Sequence, residues 1–232
     1  MEINELPEKT IQELTSHWEC ESGEAESIEF IQNLLKSHPD LLEVRHRLAN
    51  IMIEAEDLDG AEAMIQKTRD LFPKDKDYVL DLAHLYFFRD DFENAYKYAV
   101  QAEKIDLTSG VIFYILAEKQ IEADNKLEGQ SLLLEGILNF PHAIQNLERA
   151  VELQGETYYG PDEEAPNPLN KEEQEKMVQF IGQNLEKTGG CDHTFRFSYE
   201  WSENAEINFT QLAMYLNSND GFCDCEVFQA NS

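Results

Sequence analysis

Basic residues are scarce in this chain: 18 Lys and Arg stand against 47 Asp and Glu, a formal charge of −29. Such a surplus repels phosphate backbones and anionic headgroups. It argues against nucleic acid and membrane as partners, and among protein surfaces it favours basic ones. Cysteine is also sparse, with four in 232 residues and three of those from residue 191 onward. That distribution excludes a secreted disulfide framework; in a reducing compartment, clustered cysteines point to metal or to burial. Long apolar runs are missing, and nothing approaches the roughly 20 consecutive apolar residues of a membrane span. The opening "MEINELPEKTIQELT" puts acids where a secretory signal has a basic start and an apolar run. A cytoplasmic location is therefore expected.

What is present is a period. Prolines at 39, 73 and 141 stand one and two steps of 34 residues apart, with Leu107 at the missing step. The same step relates Ala61, Ala95 and Gly129, then Thr68, Ala102 and Gly136, and the pairs Leu48-Ala49, Leu82-Ala83 and Leu116-Ala117. Small residues recur where two helices must cross closely. In "GAEAMIQKTRDLF" the residues Ala61, Met64, Ile65, Thr68 and Leu71 or Phe72 follow the three-and-four spacing of an amphipathic helix. Proline at a unit's end cannot donate a backbone hydrogen bond, so it stops one helix and opens the turn to the next.

These columns resemble the tetratricopeptide repeat family, whose 34-residue helix-turn-helix units carry small and large residues at set offsets. The third unit, "YVLDLAHLYFFRDDFENAYKYAVQAEKIDL", matches best through Leu82, Ala83, Tyr86, Ala95, Ala99 and Ala102. Units are placed at 8–41, 42–75, 76–109 and 110–143, the first of them degenerate with Trp18 and Ser27 in family slots, and the last with Gln120 in place of the aromatic. A further helix in "PHAIQNLERAVELQG" caps the array, giving a helical solenoid over 1–155.

The resemblance implies a groove that holds a peptide or protein surface. Mapping the groove-facing columns of peptide-binding members onto this chain gives Gln12, Glu13 and Ser16, then His46, Arg47 and Asn50, then Leu80, Asp81 and His84, then Tyr114, Ile115 and Glu118. Clamps for a terminal carboxylate need paired Lys and Asn with a further Lys and Arg. One Arg, one Asn and several acids do not supply that, and a chaperone-tail clamp is rejected. Arg47 and Asn50 are read as anchors for a polar group, with Tyr114 and Ile115 giving apolar contact. No nucleophile stands beside a base, and the chain is read as an interaction scaffold, not an enzyme.

"GETYYGPDEEAPNPLN" breaks regular structure and marks 156–170 as an acidic, proline-rich linker, either a hinge or a packed loop. Beyond it, 171–232 reads as a small module that leans on the repeats. Asn170 and Glu173 make a capping box for a helix with Met177, Val178, Ile181 and Leu185 on one face, ended by Gly189 and Gly190. "HTFRFSYEW" alternates Phe195, Phe197 and Tyr199 or Trp201 and reads as a strand that turns helical near "EWSENAE". A helix over "FTQLAMYLNSNDG" follows, then a strand at "FCDCEVF". The expected fold is mainly α, a solenoid followed by a small α+β domain. The segments "CDHTFRF" and "GFCDCEVF" resemble a small bacterial family of unknown function, a resemblance that implies a module and no chemistry.

Cys191, His193, Cys223 and Cys225 bring soft thiolates and an imidazole, the donor set of a tetrahedral zinc site. Sulfurs sharing a zinc lie about 3.8 Å apart, whereas side chains two apart on a flat strand are separated by about 6.6 Å. A Cys-x-Cys pair in a strand would therefore need a bend to send both sulfurs to one ion. Zinc, buried thiols and redox chemistry through the Cys-x-Cys pair stay open as readings, the last opposed by Asp224 and Glu226 beside the thiols. Cys20 joins none of them.

Overall fold

The computed structural model describes residues 3–18, 25–161, 163–219 and 221–231. After a single 3-10 turn at Ile3–Glu5 come thirteen described helices: α1 Glu8–Trp18, α2 Ala25–Ser37, α3 Leu42–Glu54, α4 Leu58–Leu71, α5 Tyr78–Phe88, α6 Phe92–Lys104, α7 Gly110–Glu122, α8 Lys126–Asn139, α9 Ile144–Leu153, α10 Lys171–Thr188, α11 Arg196–Ala205, α12 Phe209–Asn217 and α13 Asp224–Asn231. Among the described residues none is long and apolar enough to cross a membrane. The chain divides into two compact units, Met1–Thr108 and Ser109–Ser232.

The period of 34 reappears in the backbone. Asp57, Asp91 and Asn125 donate their N–H groups to the carbonyls of Met52, Tyr86 and Gln120 at 2.9, 3.0 and 2.8 Å. Just before them Glu56, Asp90 and Asp124 sit in the left-handed region at φ 61°, 57° and 63°. The same closure of a helix end by a left-handed residue is thus built three times, turning α3 into α4, α5 into α6 and α7 into α8. Asp57 and Asp91 then start the second helices by accepting from Gly60 N at 3.1 Å and Asn94 N at 3.2 Å.

In the first unit Leu48, Ala49, Ala61, Ile65, Leu82 and Leu85 are buried in one core, so the columns read as helix crossings do lie inside. In the second unit α7 pairs with α8, and α9 packs on both. Gly136 on α8 lies so close to α9 that a Cβ there would stand 2.6 Å from both Cγ and Oδ1 of Asn146. Asn146 is fully buried and donates to the Gly110 carbonyl at 2.9 Å. Gly136→Ala should therefore cost about 1–3 kcal/mol by overpacking. Urea unfolding measures it, and an unchanged midpoint would mean that α8 and α9 are free to separate.

The same core continues into the C-terminal helices: Ile137, Leu147 and Val151 share it with Met177, Ile181, Phe195, Phe197, Trp201, Leu212, Leu216 and Val227. Ala165 and Leu169 from the proline-rich segment are buried there too, so part of that segment is a packed loop. α10 begins with the expected capping box, Glu173 N on Asn170 Oδ1 at 3.0 Å and Asn170 N on Glu173 Oε2 at 2.8 Å, and ends on Gly189 at φ 81°.

The expected α+β unit is corrected by the structure, since no strand occurs among the described residues. "HTFRFSYEW" forms a turn and then α11, and "FCDCEVF" forms a turn and then α13. Alternating aromatics suggested a sheet face, yet the residues that α11 buries are Phe197, Ser198, Trp201 and Ser202, a one-and-four stripe. Two small serines in that stripe let the helix sit close to its neighbours, and an acid from another helix caps it.

Candidate metal centre

That acid is Asp224. It is 1% exposed and accepts from Phe197 N at 2.7 Å, Ser198 N at 2.9 Å and Ser198 Oγ at 2.6 Å. The N-cap residue of α11, Phe195, offers no side-chain cap, and apart from a bond from Arg196 N to Thr194 Oγ1 at 3.3 Å the central residue of Cys-Asp-Cys fills that place. Asp224 N donates in turn to the Thr194 carbonyl at 3.0 Å. These bonds hold the turn carrying Cys191 and His193 against the start of α13. From the other side Phe195 N donates to Leu138 O at 3.0 Å, with the Phe195 ring fully buried.

Cys223 accepts the first helical bond of α13, from Val227 N at 3.0 Å, and Cys225 lies in the first turn. A helical start folds residues two apart far closer than a strand does, and the two sulfurs are 3.0 Å apart. Cys191 Sγ and His193 Nδ1 each lie 3.9 Å from Cys223 Sγ. His193 adopts φ 59°, and its N–H donates to Cys191 Sγ at 3.2 Å. One donor atom from each of the four lies within 4.8 Å of the others. The 3.9 Å spacings match donors sharing one zinc, for which about 3.8 Å between sulfurs is expected, and the Cys223–Cys225 contact need open by less than about 1 Å.

Cys223 is buried, Cys191 and Cys225 half-buried and His193 exposed, so an ion could reach the cluster from solvent. Burial pushes the Cys223 thiol well above its usual range, and the bond from Cys225 adds to it; burial likewise raises Cys225. Thiols held protonated are poor nucleophiles, which weakens the redox reading. A bound cation reverses the preference by stabilising the thiolates. Cys191, His193, Cys223 and Cys225 thus form a cluster capable of coordinating a metal ion. Cys20 lies outside the described residues, as does the side chain of Trp18.

The groove positions fall in both units. In the first, His46, Asn50, Leu80, Asp81 and His84 line one cleft of about 850 Å³ together with Ile3, Ile11 and Leu41. Arg47 is half-buried on α3, and Gln12, Glu13 and Ser16 are exposed on α1. The Asn50 Oδ1 atom is buried with no hydrogen bond. Burial pulls His46 down, but the bond to Asp81 and the charges of Asp81, Asp75 and Asp77 outweigh it and its pKa is raised. Burial lowers His84 to about 4. In the second unit Tyr114 is half-buried, Ile115 is fully buried in the helix packing, and Glu118 accepts from Arg149 Nε at 2.7 Å.

Two family models match. Residues 24–85 fit a tetratricopeptide repeat model and residues 177–230 fit a model described as "Protein of unknown function (DUF2695)". The chain carries a tetratricopeptide repeat segment and a DUF2695 domain. All four residues of the Cys/His cluster lie within the DUF2695 match. Similar curated proteins include an uncharacterized protein of Mycobacterium bovis, Mb2294, and one of Mycobacterium tuberculosis, Rv2271, each 29% identical over 59 residues. The alignment covers 25% of this chain and 59% of theirs. Tetratricopeptide repeats are generally scaffolds for protein interaction.

Sequence reasoning singled out the cysteines and His193 but missed the cap that Asp224 provides; an acid held between two cysteines was the only signal. It also missed Asp75 and Asp77, which the fold brings to His46.

Proposed function

We propose that the DUF2695 domain binds one zinc ion through Cys191, His193, Cys223 and Cys225, and that the zinc-stapled domain accompanies a repeat segment devoted to protein interaction. The observation that supports zinc is the convergence of three sulfurs and an imidazole, from two segments about 30 residues apart, within 4.8 Å. Four protein ligands close a tetrahedral site, the pattern of structural zinc. Here the ion would tie the turn after α10 to the first turn of α13, and no ligand position would be left for a reaction. Elemental analysis of protein purified without a tag should find one zinc per chain, lost in Cys223→Ser. Protein that holds no stoichiometric metal after zinc equilibration and desalting would refute the reading.

For the repeats, a helix-pair array is suited to protein partners in general. The narrower proposal is a peptide or protein segment of basic character, held beside His46, Arg47, Asn50, Asp81 and His84 in the first unit and beside Tyr114 and Glu118 in the second. The chain's charge of −29 and the unsatisfied Asn50 Oδ1 in the cleft support it. Ile115, being fully buried, would contribute by shaping α7 and not by touching a partner.

A further inference from the structure

His46 stands on α3 with a carboxylate on either side of its ring. Its Nδ1 lies 2.5 Å from Asp81 Oδ2 and its Nε2 3.1 Å from Asp75 Oδ2. Asp77 adds a third acid, and one donor atom each from His46, Asp75 and Asp77 lies within 4.8 Å of the others. The Asp75 side chain is only 5% exposed. Its Oδ1 accepts from Asp77 N at 3.1 Å, but its Oδ2 is buried without a hydrogen bond, and so is His46 Nε2. With the ring neutral and its proton on Nδ1, two buried acceptor atoms face each other at 3.1 Å, a cost that a proton on Nε2 also relieves. A cation shared between them removes that cost.

We propose that His46, Asp75 and Asp77 form a divalent-metal site on the repeat segment, separate from the Cys/His cluster. Donors at about 2.1 Å from one ion stand roughly 3.0–3.5 Å apart, close to the spacing of His46 Nε2 and Asp75 Oδ2. The Asp81 carboxylate on Nδ1 keeps the proton there and leaves the Nε2 lone pair for the ion, the outer partner that a metal-bound histidine usually has. Asp81 is thus a positioning residue. One imidazole with two carboxylates and no sulfur suits Mn²⁺, Fe²⁺, Co²⁺ or Zn²⁺. Three protein ligands leave coordination positions open, and both His46 and Asp77 line the 850 Å³ cleft from which water or an acidic group of a bound molecule could fill them.

Mn²⁺ is the probe of choice because a thiolate cluster does not select it. The full-length chain, given one equivalent of zinc per chain, which the thiolates take first, is titrated with Mn²⁺ and the free ion followed by electron paramagnetic resonance. One site per chain is expected above a background of weak binding to surface acids. His46→Ala and Asp75→Asn should each weaken it at least 10-fold, Asp81→Asn by about 10–100-fold, and the exposed control Glu93→Gln should leave it unchanged. Because the cleft variants could unfold locally, the wild-type chain supplies a second readout: substoichiometric Mn²⁺ should broaden the His46 imidazole signals well before those of His142. Weak adventitious binding only, an isotherm unmoved by His46→Ala in a folded variant, or broadening that spares His46 would each overturn the proposal.

Discussion

Asp224→Ala should lower the unfolding free energy of the C-terminal unit by about 3–5 kcal/mol, because two buried N–H groups and a hydroxyl lose their acceptor at about 1–3 kcal/mol each. Phe197 N and Ser198 N lose the only acceptor that caps α11 from outside, and the Ser198 hydroxyl is left buried beside them. Water cannot replace the lost oxygens without opening the contact between α11 and α13. Asp224→Asn keeps one carbonyl acceptor in place and should cost less than the Ala variant. Urea unfolding followed by circular dichroism reads both. A loss under about 0.5 kcal/mol for the Ala variant, the size of an ordinary surface change, would show that α11 is held by its apolar face alone. If the cap also sets the cysteines in place, zinc affinity should fall in the same variants.

With zinc bound as proposed, chelation should lower the thermal midpoint of that unit by an amount fixed by mass action. With free zinc at about 1,000 times its dissociation constant, binding contributes about 4 kcal/mol, which for a unit of this size corresponds to a shift on the order of 10 °C. The shift should reverse when zinc is restored and vanish in Cys223→Ser, whose sulfur lies at the centre of the distances among the four donors. A wild-type midpoint that ignores both chelator and added zinc would leave the cysteines as ordinary packing groups.

The repeats were legible because their determinants are local and recur. Prolines at unit ends, small residues at the helix crossings and the Leu-Ala pairs return every 34 positions, so several independent columns state one geometry. The C-terminal helices were not, because what makes α11 a helix lies 26 and 27 residues away in Asp224. Read by itself, the alternation of Phe195, Phe197 and Tyr199 fits a half-buried strand, and neither the burial of Ser198 and Ser202 nor a distant cap leaves a mark on a local window. The objection to two zinc-bound sulfurs in Cys-x-Cys inherited that error. Once Cys223 begins a helix, the spacing that a strand would impose no longer applies. Residue type alone picked out the cluster, whereas the acids around His46 come from 29, 31 and 35 positions further on and only the stacking of neighbouring helix pairs reveals them. Family columns placed Ile115 on the right helix but could not say which way it faces.

Ile137, Leu147 and Val151 belong to α8 and α9, yet the side chains that keep water from them come partly from α10 to α13. Cutting the chain between α9 and α10 would leave a greasy scar on one fragment and an unsupported handful of short helices on the other. Although α7 to α9 and the DUF2695 domain can be told apart as sequences, they share one apolar interior, and losing either would strip the other of part of its cover.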